Sequence, residues 1–119
     1  PIGIVTSAGR DISRRQLLAI GIVPASFAVF QTADDTLVHK PDPRVFDPAL
    51  SRLASAGVLP HEVLYAGDSL RDLEAARCAG LQFYAVLRGT TSRAEFEAAG
   101  VSAHDDLRDL LATARSREV

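Results

Sequence analysis

The chain has 119 residues, 47% of them hydrophobic, and a net charge of -2 with acids and arginines interspersed. That length supports one domain with a modest core and is too short for two ordinary ones. No apolar run is long enough to span a bilayer, no basic segment followed by a cleavable apolar one opens the chain, and no basic stripe offers a surface to nucleic acid or to a membrane. The expectation is a cytoplasmic protein whose partners are small molecules.

A strand-like run at residues 2–6 precedes a helical pattern over 12–20, and the apolar run 27–31 precedes a helix expected over 44–56. Asp42 is its predicted cap and Pro43 its first helical residue. Pro48 lies deep in that helix, where a missing N–H and a ring clash predict a kink or a late start. Residues 63–66 then lead through Gly67 into a helix over 70–79, with Leu70, Leu73, Ala76 and Cys78 as its apolar face. A strand at 83–87 and helices over 93–99 and 107–114 complete the pattern. Ser92 and Glu95 spell a capping box, and Gly57, Gly80 and Gly100 stop three helices. Strands alternating with helices predict an α/β fold, Rossmann-like, with a parallel sheet in a three-layer sandwich. Residues 115–119 are expected to fray. Cys78 has no second cysteine to pair with and is read as a buried filler. The chain starts within a residue or two of a buried strand and contains no methionine. That favours a piece of something longer over a chain whose initiator methionine was removed before Pro1.

Several positions carry chemistry-bearing groups. Thr6 and Ser7 end the first strand, where hydroxyls and free backbone N–H groups near a helix start can cradle an anion or serve as a plain turn. Arg10 can reach the same anion, or sit solvated on the surface. Lys40 is the only lysine, against twelve arginines, and is wedged before Pro41-Asp42-Pro43. Such a position suits a compact ammonium used to neutralise phosphate. Asp68 and Asp72 lie four apart across a strand-to-helix turn and can face one point. Two carboxylates there suit Mg²⁺, which takes one or two protein carboxylates and keeps several waters. A simple helix cap, with Ser69 or Asp68 at the end and Asp72 in the first turn, explains them equally well. His39, His61 and His104 show no metal-ligand spacing and read as surface or turn residues.

Taken in order, Ile4-Val5-Thr6-Ser7, then His39-Lys40-Pro41-Asp42-Pro43, then Gly67-Asp68-Ser69-Leu70-Arg71-Asp72 with Ala75-Ala76 and Ala79-Gly80, the chain resembles the haloacid dehalogenase superfamily. Within it the similarity is to the phosphoglycolate-phosphatase-like branch. The resemblance implies that Thr6 hydrogen-bonds a transferring phosphoryl group with the N–H of Ser7 beside it, and that Lys40 balances charge on the phosphoryl and on the nucleophile. It implies that Asp68 binds Mg²⁺ and that Asp72 holds the ion directly or through a water, in a phosphatase acting on a small phosphorylated metabolite. The family also uses an Asp-x-Asp strand, whose first aspartate attacks phosphorus and whose second handles the leaving group's proton. No Asp-x-Asp occurs in these 119 residues. In the family that strand lies mid-sheet, between the strands ending here at Thr6 and Asp68. The resemblance therefore covers a single partial core domain over residues 1–119, with two unpaired inner edges open to strand swapping or homo-oligomers. Only eight residues separate Gln31 from Lys40, too few for a cap domain inserted there.

Gly67-Asp68-Ser69-Leu70 also spells the motif of the GDSL esterases, whose serine is the nucleophile. Those enzymes need an oxyanion asparagine and an Asp-x-x-His pair; this chain has no asparagine, and no aspartate precedes His61 or His104 by three residues. A response-regulator receiver has similar residue types in the reverse order. The remaining alternative to an enzyme is a catalytically silent Mg²⁺- and phosphate-binding or protein-interaction module. Without the nucleophile motif, the 119 residues alone are expected to be inactive.

Overall fold

The structure, a computed structural model, describes residues 1–116. Strand β1 (Gly3–Val5) pairs in parallel with β2 (Val29–Gln31), Gly3 facing Val29 in register, and helix α1 (Arg10–Ala19) makes the crossover. A second sheet has the order β3 (Leu64–Gly67), β4 (Gln82–Val86), β5 (Ala103–His104), again all parallel. Its crossovers are α3 (Leu70–Cys78) and α4 (Arg93–Ala98); α2 (Asp47–Ser55) lies between the sheets in sequence, and α5 (Leu110–Ser116) follows β5. Parallel neighbours need a crossover of this kind, and a helix is the usual solution. The fold is α/β and Rossmann-like, as the alternation of patterns predicts.

β1 pairs only with β2, and β3 only with β4, so among the described residues each presents an edge without a strand partner. One core nevertheless serves both sheets. Val45, Phe46, Ala75, Ala76 and Leu81 form it, with Val5 of β1, Val63 just before β3, and Tyr65 and Phe83 of the other sheet packed against it. Phe83 also touches a second cluster of Ala85, Phe96 and Ala103. The rings of Phe46, Tyr65, Phe83 and Phe96 thus run in a row, with centroid separations of 4.8, 6.3 and 6.3 Å. Tyr84 points to the opposite face of β4, is buried, and stacks on His104 at 4.2 Å. Both faces of the middle strand are therefore covered, as parallel sheets require.

Local chemistry sets the element ends. The expected helix over 44–56 divides into a 3₁₀ turn, Pro43–Phe46, capped by Asp42, and α2, in whose first turn Pro48 sits; this is the late start that a proline imposes. Ser92 caps α4 in the expected box with Glu95. Gly57, Gly80 and Gly100 adopt φ of 82, 81 and 83° just beyond α2, α3 and α4, a left-handed conformation that side-chain-bearing residues resist. The two-residue β5 is too short to leave a period in the sequence. The assignment of Cys78 to the core is corrected: it is exposed, and Leu70 is too. The buried stripe of α3 is Asp72, Leu73, Ala75 and Ala76, which rotates both outer positions toward solvent. Residues 117–119, most of the segment expected to fray, lie outside the described residues; α5 itself runs three residues later at its start than the pattern suggests.

Gln31 joins the first sheet to α2. Its buried side chain donates from Nε2 to the Val45 carbonyl at 2.5 Å and accepts at Oε1 from the Ala49 N–H at 2.9 Å, one of the donors left unpaired at the start of α2. Gln31→Leu leaves both groups buried and unmatched, and is expected to lower stability by about 2–4 kcal/mol, at roughly 1–3 kcal/mol per unmatched group, in urea unfolding. A loss within 0.5 kcal/mol, as for an ordinary surface substitution, contradicts the staple.

Candidate metal and phosphate site

The turn from β3 into α3 is built around Asp72. Ser69 is the N-cap of α3, its hydroxyl accepting from the Asp72 N–H at 3.1 Å, while Asp72 reaches back in a reciprocal box. Asp72 Oδ2 accepts from the N–H groups of Asp68 and Ser69 at 3.1 and 3.2 Å and from the Ser69 hydroxyl at 2.9 Å. A Cβ on residue 67 would lie 2.6 Å from that of Asp72, so only glycine lets the carboxylate fold back over the turn. The cap interpretation of Asp72 therefore holds in the structure.

Its other oxygen takes Lys40. The ammonium donates to Asp72 Oδ1 at 2.6 Å and to the Tyr65 hydroxyl at 2.9 Å, with side-chain exposures of 16% for Lys40 and 8% for Asp72. The Arg71 guanidinium donates to the Lys40 carbonyl, so the first turn of α3 grips this residue at both its backbone and its charge. Burial would push the Lys40 pKa down, but the bonds to Asp72 and Tyr65 outweigh it and hold the value above 10.5. Burial likewise opposes the Asp72 charge, and Lys40 and the capping donors overcome it, holding the carboxyl below 3.8. Burial raises the Tyr65 pKa, which keeps its hydroxyl protonated beside the pair.

Asp68 is different. It is half-buried, and its carboxylate makes no hydrogen bond or ion pair among the described residues. It opens on a cavity of about 540 Å³ whose wall also includes Lys40, Tyr65, Asp72, Arg88 and Leu107. Gly89 lies against it: a Cβ there would come 2.9 Å from the Asp68 carboxyl carbon and from Oδ2. Among the described residues no group of three or more His, Cys, Asp or Glu side chains converges on one point. One free carboxylate facing a cavity suits a cation that keeps most of its own waters, which is the habit of Mg²⁺, and does not suit an all-protein cage.

Thr6 and Ser7 follow the carboxyl end of β1 and do not line this cavity. The Thr6 hydroxyl accepts from the Ala8 N–H at 3.1 Å, which leaves its proton to donate elsewhere, and Ser7 is exposed. Lys40, Asp68 and Asp72 thus share one cavity wall, and Thr6 and Ser7 stand at the end of β1, outside that wall. Arg10 stays partly exposed at the surface, as the solvated reading expects, and there pairs with Asp35 at 2.5 Å and lies over the Phe30 ring. His39 and His61 line no part of the cavity, and His104 is occupied by Tyr84.

The comparisons with known proteins converge. A model of the haloacid dehalogenase-like hydrolases matches residues 1–86. The chain belongs to this family. Curated relatives include the pyrophosphatase PpaX of Bacillus pumilus, 38% identical over 79 residues, which are 66% of this chain and 35% of that protein. The phosphoglycolate phosphatase of Escherichia coli K12 is 35% identical over 80 residues, 67% of this chain and 30% of that one. Among solved structures, a hydrolase from Pseudomonas syringae superposes with a TM-score of 0.77 at 32% identity, covering 92% of this chain and 49% of its own. The chain spans about a third of the length of the curated relatives and about half of that structure. Haloacid dehalogenase-like phosphatases are thus its relatives, and small phosphorylated molecules are the substrates their names imply.

Sequence reasoning missed Tyr65, Arg71, Arg88 and Gly89. Arg71 did carry a signal, since a cation in the first turn of a helix opposes the dipole and needs a reason, here the Lys40 carbonyl. Tyr65 carried none, because a strand tyrosine is ordinary.

The Lys40–Asp72 pair dictates a pH profile. Because Asp72 is held below its unfolded value, its contribution is present above 3.8 and is lost as pH falls through the lower folded value; because Lys40 is held above 10.5, its contribution is lost only as pH rises beyond that. Urea unfolding across pH should show both limbs in the wild type and shallower limbs in the Lys40→Met, Asp72→Leu double variant, where Asp35 and Asp42, also held low by their partners, keep part of the acid limb. Asp72→Ala alone should cost about 3–5 kcal/mol at neutral pH by stranding the ammonium. Gly89→Ala is expected to displace the Asp68 carboxylate and to lower stability by about 1–3 kcal/mol in urea unfolding; an unchanged midpoint contradicts the packing of Gly89 on the carboxylate.

Proposed function

We propose that this chain is a single partial core domain, without a cap, of a Mg²⁺-dependent phosphatase that hydrolyses a small phosphorylated metabolite through an aspartyl-phosphate. The observation that carries this is the juxtaposition of a free carboxylate, Asp68, with a fixed ammonium, Lys40, at the carboxyl end of a parallel strand. In open α/β sheets ligands bind at that edge. Pyrophosphatase and phosphoglycolate phosphatase relatives support the choice of reaction and make pyrophosphate and phosphoglycolate the first substrates to try.

Each residue has a distinct task. Asp68, with its lone pairs unclaimed, binds the cation, which when bound supplies Lewis-acid polarisation of a phosphoryl oxygen. Asp72, both of whose oxygens are engaged, keeps the turn folded and Lys40 charged, and reaches the cation only through a water. Lys40 places its positive charge where phosphoryl and nucleophile charges gather, so that no reorganisation is needed during transfer. Thr6 donates its free hydroxyl proton to the phosphoryl group, with the Ser7 N–H beside it. The nucleophile and the general acid come from an Asp-x-Asp pair outside these 119 residues, so the chain alone is inactive. No helix among the described residues is long and apolar enough to cross a membrane, and a cytoplasmic location is part of this proposal.

A second possibility, a silent binding or interaction module, draws on the unpartnered edges of β1 and β3, which can pair with another chain or with a second copy. In the protein made from its complete reading frame, Lys40→Ala and Asp68→Ala are each expected to lower kcat for p-nitrophenyl phosphate at least a hundredfold. Near-normal activity in both variants refutes the site. Hydrolysis by the 119 residues alone, abolished by Asp68→Ala, refutes an external nucleophile. A full-length protein that binds phosphate and Mg²⁺ but turns over no phosphomonoester establishes the silent module.

A further inference from the structure

Among the described residues the wall of the cavity holds two cations, and only one is committed. Lys40 is engaged by Asp72 and Tyr65. The guanidinium of Arg88 makes no hydrogen bond or ion pair among the described residues, although acids lie on the same wall. Of those acids, Asp72 is spoken for by Lys40, and Asp106 pairs with Arg108 at 3.2 Å. Asp68 and Arg88 are the wall's two charged groups without a partner among the described residues.

The position of Arg88 is set on both sides. Just before it, the Leu87 N–H donates to the His104 carbonyl at 2.8 Å, tying the end of β4 to β5. Just after it, Gly89 packs on the Asp68 carboxylate with no room for a Cβ. The arginine is therefore presented at the carboxyl end of β4, beside the strand whose end presents Asp68. A cavity of about 540 Å³ lies within the range of small-molecule sites, and a single phosphate would fill only a small part of it. Once Asp68 holds a divalent cation, the charge left on the wall is a planar guanidinium fork, a shape matched to carboxylate or phosphate oxygens.

We infer that Arg88 is a specificity-determining residue that takes a second anionic group of the substrate, a carboxylate or a further phosphate, while the Asp68 and Lys40 side of the cavity takes the group to be removed. This rests on the phosphatase function proposed above. It predicts a preference for phosphomonoesters and phosphoanhydrides bearing two anionic groups over those bearing one.

The test compares 2-phosphoglycolate, pyrophosphate and ethyl phosphate as substrates of the protein made from its complete reading frame, in Mg²⁺. Arg88→Ala should lower kcat/KM for at least one doubly anionic substrate tenfold or more relative to ethyl phosphate, chiefly through KM, and Arg88→Lys should recover part of the loss. The arm that falls names the second group as carboxylate or phosphate. An unchanged ratio in both arms, or equal losses for all three compounds, overturns the inference while leaving the phosphatase standing. If the wild type turns over none of them, the phosphatase proposal fails by that result. The same ratio is then read from calorimetric binding of the three compounds to wild type and Arg88→Ala, where equal affinities overturn the role of Arg88.

Discussion

The site depends on one buried contact, the Lys40 ammonium against Asp72. Two charges taken out of water rarely stabilise a fold more than apolar residues of the same volume would, but removing either one leaves an expensive orphan. What such a pair supplies is position. Lys40 belongs to a loop with no regular structure of its own between the Ala33–Asp35 turn and Pro43. Asp72 belongs to the first turn of α3. Their bond, together with Arg71 on the Lys40 carbonyl and Tyr65 beneath the ammonium, converts a free loop into a fixed wall.

The wall is reached from the core through aromatic packing. Tyr65 is the hinge of that connection: its ring packs edge-on against Phe46 and toward Phe83, while its hydroxyl touches Lys40. Phe46 in turn ends the 3₁₀ turn that follows the Lys40 loop, so the loop's far end is anchored on the same Tyr65 ring whose hydroxyl holds the ammonium. Gln31 adds a polar tie from the first sheet to the start of α2. Two sheets without a shared strand are thereby held to one core. Their facing edges stay open because side chains, and no backbone ladder, make the join.

Much of this was legible in the sequence, and the rest was hidden for identifiable reasons. Pro48, Ser92 with Glu95, and the helix-ending glycines act through local backbone chemistry, which a sequence displays directly. The lone Lys40 stood out because the chain otherwise uses arginine, and the structure gives it a partnered, half-enclosed ammonium. Cys78 misled because three apolar neighbours suggested a face, whereas the close approach of Ala75 and Ala76 to the sheet set the rotation of α3. Arg88 and Gly89 were invisible because their importance lies in what stands opposite: a carboxylate twenty residues away in the chain and a cavity that forms only when strands β3 and β4 lie side by side.

The two aspartates of one turn show how neighbours separate identical chemistry. Asp72 sits at the third helical position, where a cap hydroxyl, two backbone N–H groups and an ammonium converge, and these four donors occupy the carboxylate's lone pairs. Asp68 lies one residue before the cap, and its own N–H is spent on Asp72, so its side chain is turned the other way, against Gly89 and the cavity. The first carboxylate is consumed in building the turn that presents the second. A ligand that needs a free carboxylate therefore finds one at Asp68, and finds it already held in place by the aspartate that cannot serve.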